Sequence, residues 1–244
     1  MDANENSDTA SYQSSVVQSS IRNARLPESE TFDLCGKLTK LIVGVGAERI
    51  SLQIHQDVLS RNSEFFKRAV KPEWATFRDE PDSIDMSIHT PADVKAYAHW
   101  LYSGNIPTRD FDSTGDSMND PIWIDLANAF VFGEKIMDRK YQRDIIETIA
   151  AVQAHAPDFP CAEAFVIIYD GTPEGSPARK LLADMYAHGA YDAPDWRKEV
   201  ELLPQEALVD VTRAMMAARD IPPRLRPWTH SVDAYLQQDV SAFR

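Results

Sequence analysis

The chain has little cysteine, a shortage of positive charge and no long hydrophobic run. Only Cys35 and Cys161 occur in 244 residues. Two thiols cannot staple a chain this long, and they fit a reducing compartment, where buried free thiols are the usual outcome. Lys and Arg number 25 against 38 Asp and Glu, a formal charge of -13. That balance argues against broad phosphate-backbone binding, which needs clustered cations to displace counterions. The longest apolar run, Leu41 to Ala47, is far too short for a membrane span. The first thirty residues have no basic stretch followed by an apolar one, so no secretory leader is expected there. Cytoplasm or nucleus is the expected location. No repeat occurs at solenoid periods.

What is present is the composition of a soluble globular protein, 43% hydrophobic and 26% charged. By mass scaling, a folded chain of this size leaves about 11,000 Å² of roughly 40,000 Å² exposed, enough to bury a core unaided. Residues 1–32 are polar, acidic and poor in large apolar groups, and read as a disordered tail with a short helix near Val16 to Ile21.

Packed structure is expected from Leu41. LIVGVGAERISLQI reads as a β-hairpin with Ile50, Leu52 and Ile54 on one face. Its Gly44-Val45-Gly46 turn mimics a dinucleotide fingerprint. Arg49 stands at the third glycine, however, and a strand follows, so a hairpin turn is the better reading. Val58 and Leu59 end a short helix. Ser63 caps a second, whose apolar face is Phe65, Phe66, Ala69 and Val70, and Pro72 stops it. A strand with Ile84, Met86 and Ile88 on one face follows, then a helix with Thr90 at the N-cap, Pro91 at the first position and Gly104 at the end. Residues 105–120 read as a loop. Asp120 and Asp138 open the next two helices, with Ile122, Leu126, Ala129, Phe130 and Ile136, then Tyr141, Ile145, Ile149 and Val152, facing inward. Beyond Pro157 the helical signals are Ala162 to Tyr169, Pro177 to His188 with Ser176 as cap, and Pro204 to Ala218. Pro222, Pro223 and Pro227 punctuate the tail.

These residues, in this order, resemble the BTB/POZ family. LQIHQDVLSRNSEFF carries His55, Leu59, Ser63 and Phe66 at the spacing of the family's signature. DEPDSIDMSIHTPADVKAYAHWLYSGNI is similar to its strand and the helix ending in Trp100, Leu101, Tyr102 and Gly104. Leu126, Phe130, Phe132, Glu134 and Lys135 resemble the last helix pair, so the likeness covers about residues 33–153. YDGTPEGSPARKLLADMYAHGA is similar to a segment following this domain in uncharacterised proteins of filamentous fungi. The resemblance implies an α+β BTB/POZ fold over 33–153 with an all-α extension over 154–244. Where many members have an Asp just before the first strand, forming part of a charged pocket at the dimer interface, this chain has Lys40, which puts the family's homodimer in question.

Chemical candidates are sparse. Six histidines and two cysteines offer no metal spacing. His55 reads as a structural residue at a strand-to-helix junction, and His155, His188 and His230 as solvated. There is no Gly-x-Ser-x-Gly elbow, and neither cysteine has a catalytic signature. Asp79, Glu80, Asp82 and Asp85 read as a solvated acidic face. No catalysis, no cofactor and no metal are expected. The functional expectation is a protein-binding module. In some members of the family a hydrophobic-x-acid segment corresponding to KPEWATFRDEPD contacts a cullin scaffold of ubiquitin ligases, and the resemblance implies the same use here. Here Phe77-Arg78-Asp79 fits that segment and Trp74 and Phe77 are large apolar groups among charges, both also readable as covers of the domain's own core, Trp74 in particular. Core packing is expected of Tyr97 and Tyr102. An oligomerisation scaffold in nuclear regulation is the alternative. A cryptic enzyme is the third reading, which a deep pocket lined by converging titratable groups would favour. Acidity gathers in the leader and in the stretches 73–85 and 110–120, as the rim of an interaction surface would.

Overall fold

The computed structural model describes residues 25, 27, 28, 31–78, 80–109, 121–155 and 159–218. The expected leader helix, Asp120, most of the loop it closes and the proline-rich tail lie outside these residues. The chain divides after Phe32 into two units. In the first, Thr31 donates its backbone N–H and its hydroxyl to the Glu28 carbonyl, at 3.1 and 2.7 Å. The rest of the described fold lies in the second unit, from Asp33.

Its sheet is a hairpin with one added strand. β1 (Leu38–Val43) and β2 (Ile50–His55) pair antiparallel from Leu38 opposite His55 to Val43 opposite Ile50. Leu41, Val43 and Ile54 point into the core. The connecting turn needs its glycines, with φ +72° at Gly44 and +59° at Gly46. β3 (Ser83–Met86) joins β1 in parallel, giving the order β2-β1-β3. This strand is shorter than its alternation predicts. The Ser87 N–H donates to Asp85 Oδ1 at 2.8 Å and the His89 N–H to the Met86 carbonyl at 3.0 Å, so the chain turns and Ile88 is left 89% exposed. Ser83, expected outside, is buried with its hydroxyl on the Glu80 carbonyl.

Among the described residues the helices are α1 (Gln56–Ser60), α2 (Glu64–Ala69), α3 (Pro72–Ala75), α4 (Pro91–Ser103), α5 (Pro121–Lys135), α6 (Arg139–His155), α7 (Ala162–Gly171), α8 (Pro177–Gly189), α9 (Pro194–Leu202) and α10 (Gln205–Ala218). With three strands they make a mixed α+β architecture. Pro72 does more than stop α2, since its fixed φ places it at the first turn of α3. Ser63 Oγ accepts from the Phe66 N–H at 3.1 Å, and Thr90 Oγ1 from the Asp93 N–H at 3.2 Å. Gly104, at φ +71°, closes α4 by donating to the Trp100 carbonyl. Ser176 occupies an N-cap position, but its buried hydroxyl caps nothing. α8 starts on Pro177 and on the Lys180 N–H bonded to the Ser176 carbonyl instead.

α5 is the central helix. From Ile122 to Gly133 it is buried on nearly every side, as expected of a helix without a polar stripe. α6 packs along it, and so does α7, while α8 packs against α10. The sequence after residue 153 therefore shares a core with the sequence before it. The approach of α7 is so close that a Cβ on Gly171 would lie 2.5 Å from the Val131 methyl groups. α9 has no clear apolar stripe in its sequence. It is held by Trp196, whose ring meets Phe159 at 5.2 Å and Tyr186 at 4.9 Å.

Two buried charged groups finish the C-terminal helices. Arg179 donates to the carbonyls of Tyr169 and Thr172, to Thr172 Oγ1 and to Glu206, satisfying the end of α7. Glu199, on α9, accepts the Ala162 N–H at 2.5 Å and so caps α7 from another helix. Burial raises its pKa, and the Ala162 N–H only partly opposes this.

Two outcomes are expected. Gly171→Ala should lose about 1–3 kcal/mol in chemical denaturation, from overpacking against Val131. For Glu199, a folded pKa above the unfolded value means that its contribution is full at low pH and falls as pH rises through the folded pKa. Glu199→Gln keeps an acceptor for Ala162 and carries no charge. Its stability relative to the parent, measured by denaturation at several pH values, should improve from acid towards neutral.

Candidate functional site

The segment after α2 carries the predicted interaction residues. The turn is built from short-range bonds: Trp74 N–H to the Lys71 carbonyl, Phe77 N–H to the Trp74 carbonyl and Thr76 Oγ1 to the Glu73 carbonyl. This one-turn geometry puts Trp74 and Phe77 three residues apart on the same side, with ring centroids 6.5 Å apart. Neither ring is in the core. Trp74 is 56% exposed and Phe77 83% exposed, which corrects the reading of either as a core cover. α3 is four residues long and buries none of them.

Arg78 faces the other way. Half-buried, it donates to the Ala69 carbonyl at the end of α2 and lines a cavity of about 280 Å³ with Lys37, Val70, Pro72 and Asp82. Asp79 lies outside the described residues. Two ion pairs join the following stretch to β1 and the residue before it, Lys40 with Glu80 and Lys37 with Asp82. Lys40 is thus engaged within its own chain, although exposed pairs of this kind contribute only about 0–1 kcal/mol.

Of the signature residues, Leu59, Ser63, Phe66 and Trp100 are buried. Leu59 and Phe66 are fully buried, and Phe66 stacks on Tyr97 at 6.0 Å. Ser63 donates its hydroxyl to the Ile136 carbonyl at 2.6 Å while it caps α2, tying that helix to the turn between α5 and α6. Trp100 is buried against Tyr97 and Tyr141, its indole N–H donates to Asp144 at 2.9 Å, and the Lys140 ammonium lies over its ring. His55 sits at the junction of β2 and α1. The Leu34 carbonyl can only accept, so Nε2 carries the proton that bonds it at 3.0 Å. In the neutral ring Nδ1 then accepts from the Tyr102 hydroxyl at 2.8 Å. Tyr102 also accepts the His55 N–H, and it is 46% exposed, so it is a surface clasp and not the core residue expected.

Sequence reasoning missed the deepest polar contact. Tyr97 donates its hydroxyl to Asp138 Oδ2 at 2.8 Å, and Asp138 Oδ1 accepts the Tyr141 N–H at 3.0 Å. All three residues are 0% exposed. Burial above all, then the Asp138 charge, pushes the Tyr97 hydroxyl far above its ordinary pKa, so it stays a donor. The cap signal at Asp138 was readable. Its second partner, 41 residues upstream, was not.

The remaining candidates are dispersed. Cys35 is exposed and Cys161 buried, both as free thiols, so only the second matches the buried state expected. His89 packs edge-on against Phe132 at 5.1 Å. Burial first, and the Lys135 charge second, hold its pKa below the ordinary value. His155 bonds the Ala151 carbonyl, and His188 is exposed. Among the described residues no group of His, Cys, Asp and Glu could hold a metal ion, and no helix is long and apolar enough to cross a membrane. A groove of about 750 Å³ runs between α4 and α5, where Arg109 already holds both oxygens of Asp125. Neither comparison with protein-family models nor a search of curated proteins finds a match to this chain.

Burial and exposure make opposite predictions for the two groups. Trp74→Ala and Phe77→Ala should each change unfolding free energy by no more than about 0.5 kcal/mol. Asp138→Ala should cost about 3 kcal/mol or more, because it strips the cap from α6 and leaves the Tyr97 hydroxyl unpaired. Urea denaturation of the three variants checks both.

Proposed function

We propose that the chain is a non-catalytic protein–protein interaction module of BTB/POZ type, whose partner docks on the Trp74–Phe77 surface. The observation that carries this reading is an exposed aromatic pair, Trp74 on α3 and Phe77 in the turn after it, which the core does not enclose. Large aromatic side chains in this setting fill partner pockets at small cost in ordering, because two torsions fix each ring. Acidic groups flank the pair at Glu73, Glu80 and Asp82, as a polar rim flanks a hot spot. The order of elements and the buried positions of Leu59, Ser63, Phe66 and Trp100 fit the family resemblance. That resemblance extends the proposal to an adaptor that brings a partner to a cullin-type ubiquitin ligase in the cytoplasm or nucleus. The C-terminal helices, packed on α5 through α7, would brace the module.

A second reading, an oligomerisation scaffold without a ligase link, is favoured by a different surface. Leu34, Leu38 and Tyr102 are exposed around His55 at the end of β2, an edge strand within the described sheet. An edge with apolar groups beside it is a template for a second chain.

Co-purification with the cullin of the native cell distinguishes the readings. The adaptor predicts that the parent retains a cullin and that the double variant Trp74→Ala/Phe77→Ala loses it at unchanged stability. Equal recovery with the variant, or a parent that self-associates in light scattering without any cullin, would overturn it.

A further inference from the structure

A net charge of -13 makes any local excess of cations notable, and one exists at the corner where α2 meets the α5–α6 turn. A groove of about 520 Å³ there is lined by Arg61, Lys67, Arg68, Arg139 and Lys140, against only two carboxylates, Glu64 and Glu134. Both carboxylates are already engaged, Glu64 with Lys67 at 2.6 Å and Glu134 with the Gln142 amide at 2.6 Å. Arg61 pairs with Asp57 and Lys140 with Asp144. Arg68 and Arg139 are exposed and make no ion pair among the described residues.

Two of these cations run against local preference, while Lys67 and Arg68 sit in the last turn of α2, where a helix end favours positive charge. Arg139 and Lys140 open α6, whose first turn has no acidic residue, although a helix start disfavours positive charge. The carboxylate that does sit at that start, Asp138, is buried and occupied by Tyr97 and Tyr141. Sequences break local rules of this kind most often where function requires it. The groove floor is also held in shape. Met137 lies at φ +53°, unusual for a side chain other than glycine, and its carbonyl accepts the Glu64 N–H at 3.3 Å, so α2 and the turn are locked together. Met137 is itself 42% exposed and supplies an apolar contact amid the charges.

We infer that this groove binds an acidic peptide segment of a partner protein, with the Arg68 and Arg139 guanidiniums forking onto its carboxylates. The volume lies within the roughly 300–1,000 Å³ of ligand-sized clefts, and paired guanidiniums suit planar carboxylates bidentately. A short peptide fits better than a nucleic acid, because the acidic remainder of the chain repels a long polyanion that extends beyond the groove. The inference rests on the groove's own residues and is independent of the Trp74–Phe77 surface, so either can fail alone.

Fluorescence anisotropy of the full chain with a labelled poly-glutamate peptide tests it. The parent should bind this peptide and not poly-glutamine of the same length, and raising salt from about 50 to 300 mM should weaken binding. Arg68→Glu/Arg139→Glu should weaken it roughly tenfold or more. If charge reversal impairs folding by circular dichroism, Arg68→Gln/Arg139→Gln should still show a clear loss. Absence of binding by the parent, equal affinity in a folded variant, or tighter binding of an oligo-dT strand than of the peptide would overturn the inference.

Discussion

Three residues between α5 and α6, Ile136 to Asp138, are the constraint on which the rest of the molecule depends. The Ile136 carbonyl accepts the Ser63 hydroxyl and the Phe65 N–H, and the Met137 carbonyl accepts the Glu64 N–H. The Asp138 carboxylate accepts the Tyr97 hydroxyl and starts α6. One turn thereby fixes α2, α4, α5 and α6 relative to each other. Around it Phe66, Tyr97, Trp100, Phe132 and Tyr141 pack stacked, tilted or edge to face. A buried polar group this well satisfied specifies one arrangement of its neighbours, whereas the same group half satisfied would destabilise them.

Much of this was legible in the sequence wherever the cause is local. Caps at Ser63, Thr90 and Asp138, the glycine stop at Gly104, the hairpin around Gly44 and the apolar faces of α4, α5 and α6 all follow from spacing within a few residues. What escaped has distant causes. Tyr97 looked like another core aromatic, and nothing near it named Asp138. Arg179, which no local spacing singled out, is buried because α7 ends against it with open carbonyls. α9 was invisible because a single ring, Trp196, anchors it. Ile88 and Trp74 were misjudged for the same reason, since alternation and hydrophobicity do not say where an element stops.

The surface residues belong to another class. Trp74, Phe77, Arg68 and Arg139 are exposed, and three of them, the two rings and Arg139, sit where local preference would place something else. Large rings lie in water and cations crowd a helix start. The -13 charge also has a local meaning. It is the background against which one apolar pair and one cationic groove stand out, both held by the same small body. The proposed docking, through one or both, has the structural premise that these residues are spare.

Hydrogen exchange of the full chain, read by mass spectrometry, tests that premise most directly. Amides of α4, α5 and α6 should share the slowest exchange, as one cooperative unit around the 136–138 turn, while those of residues 71–78 exchange far faster. Protection over residues 71–78 as deep as that of α5 would show that Trp74 and Phe77 belong to the core after all, and would contradict the account.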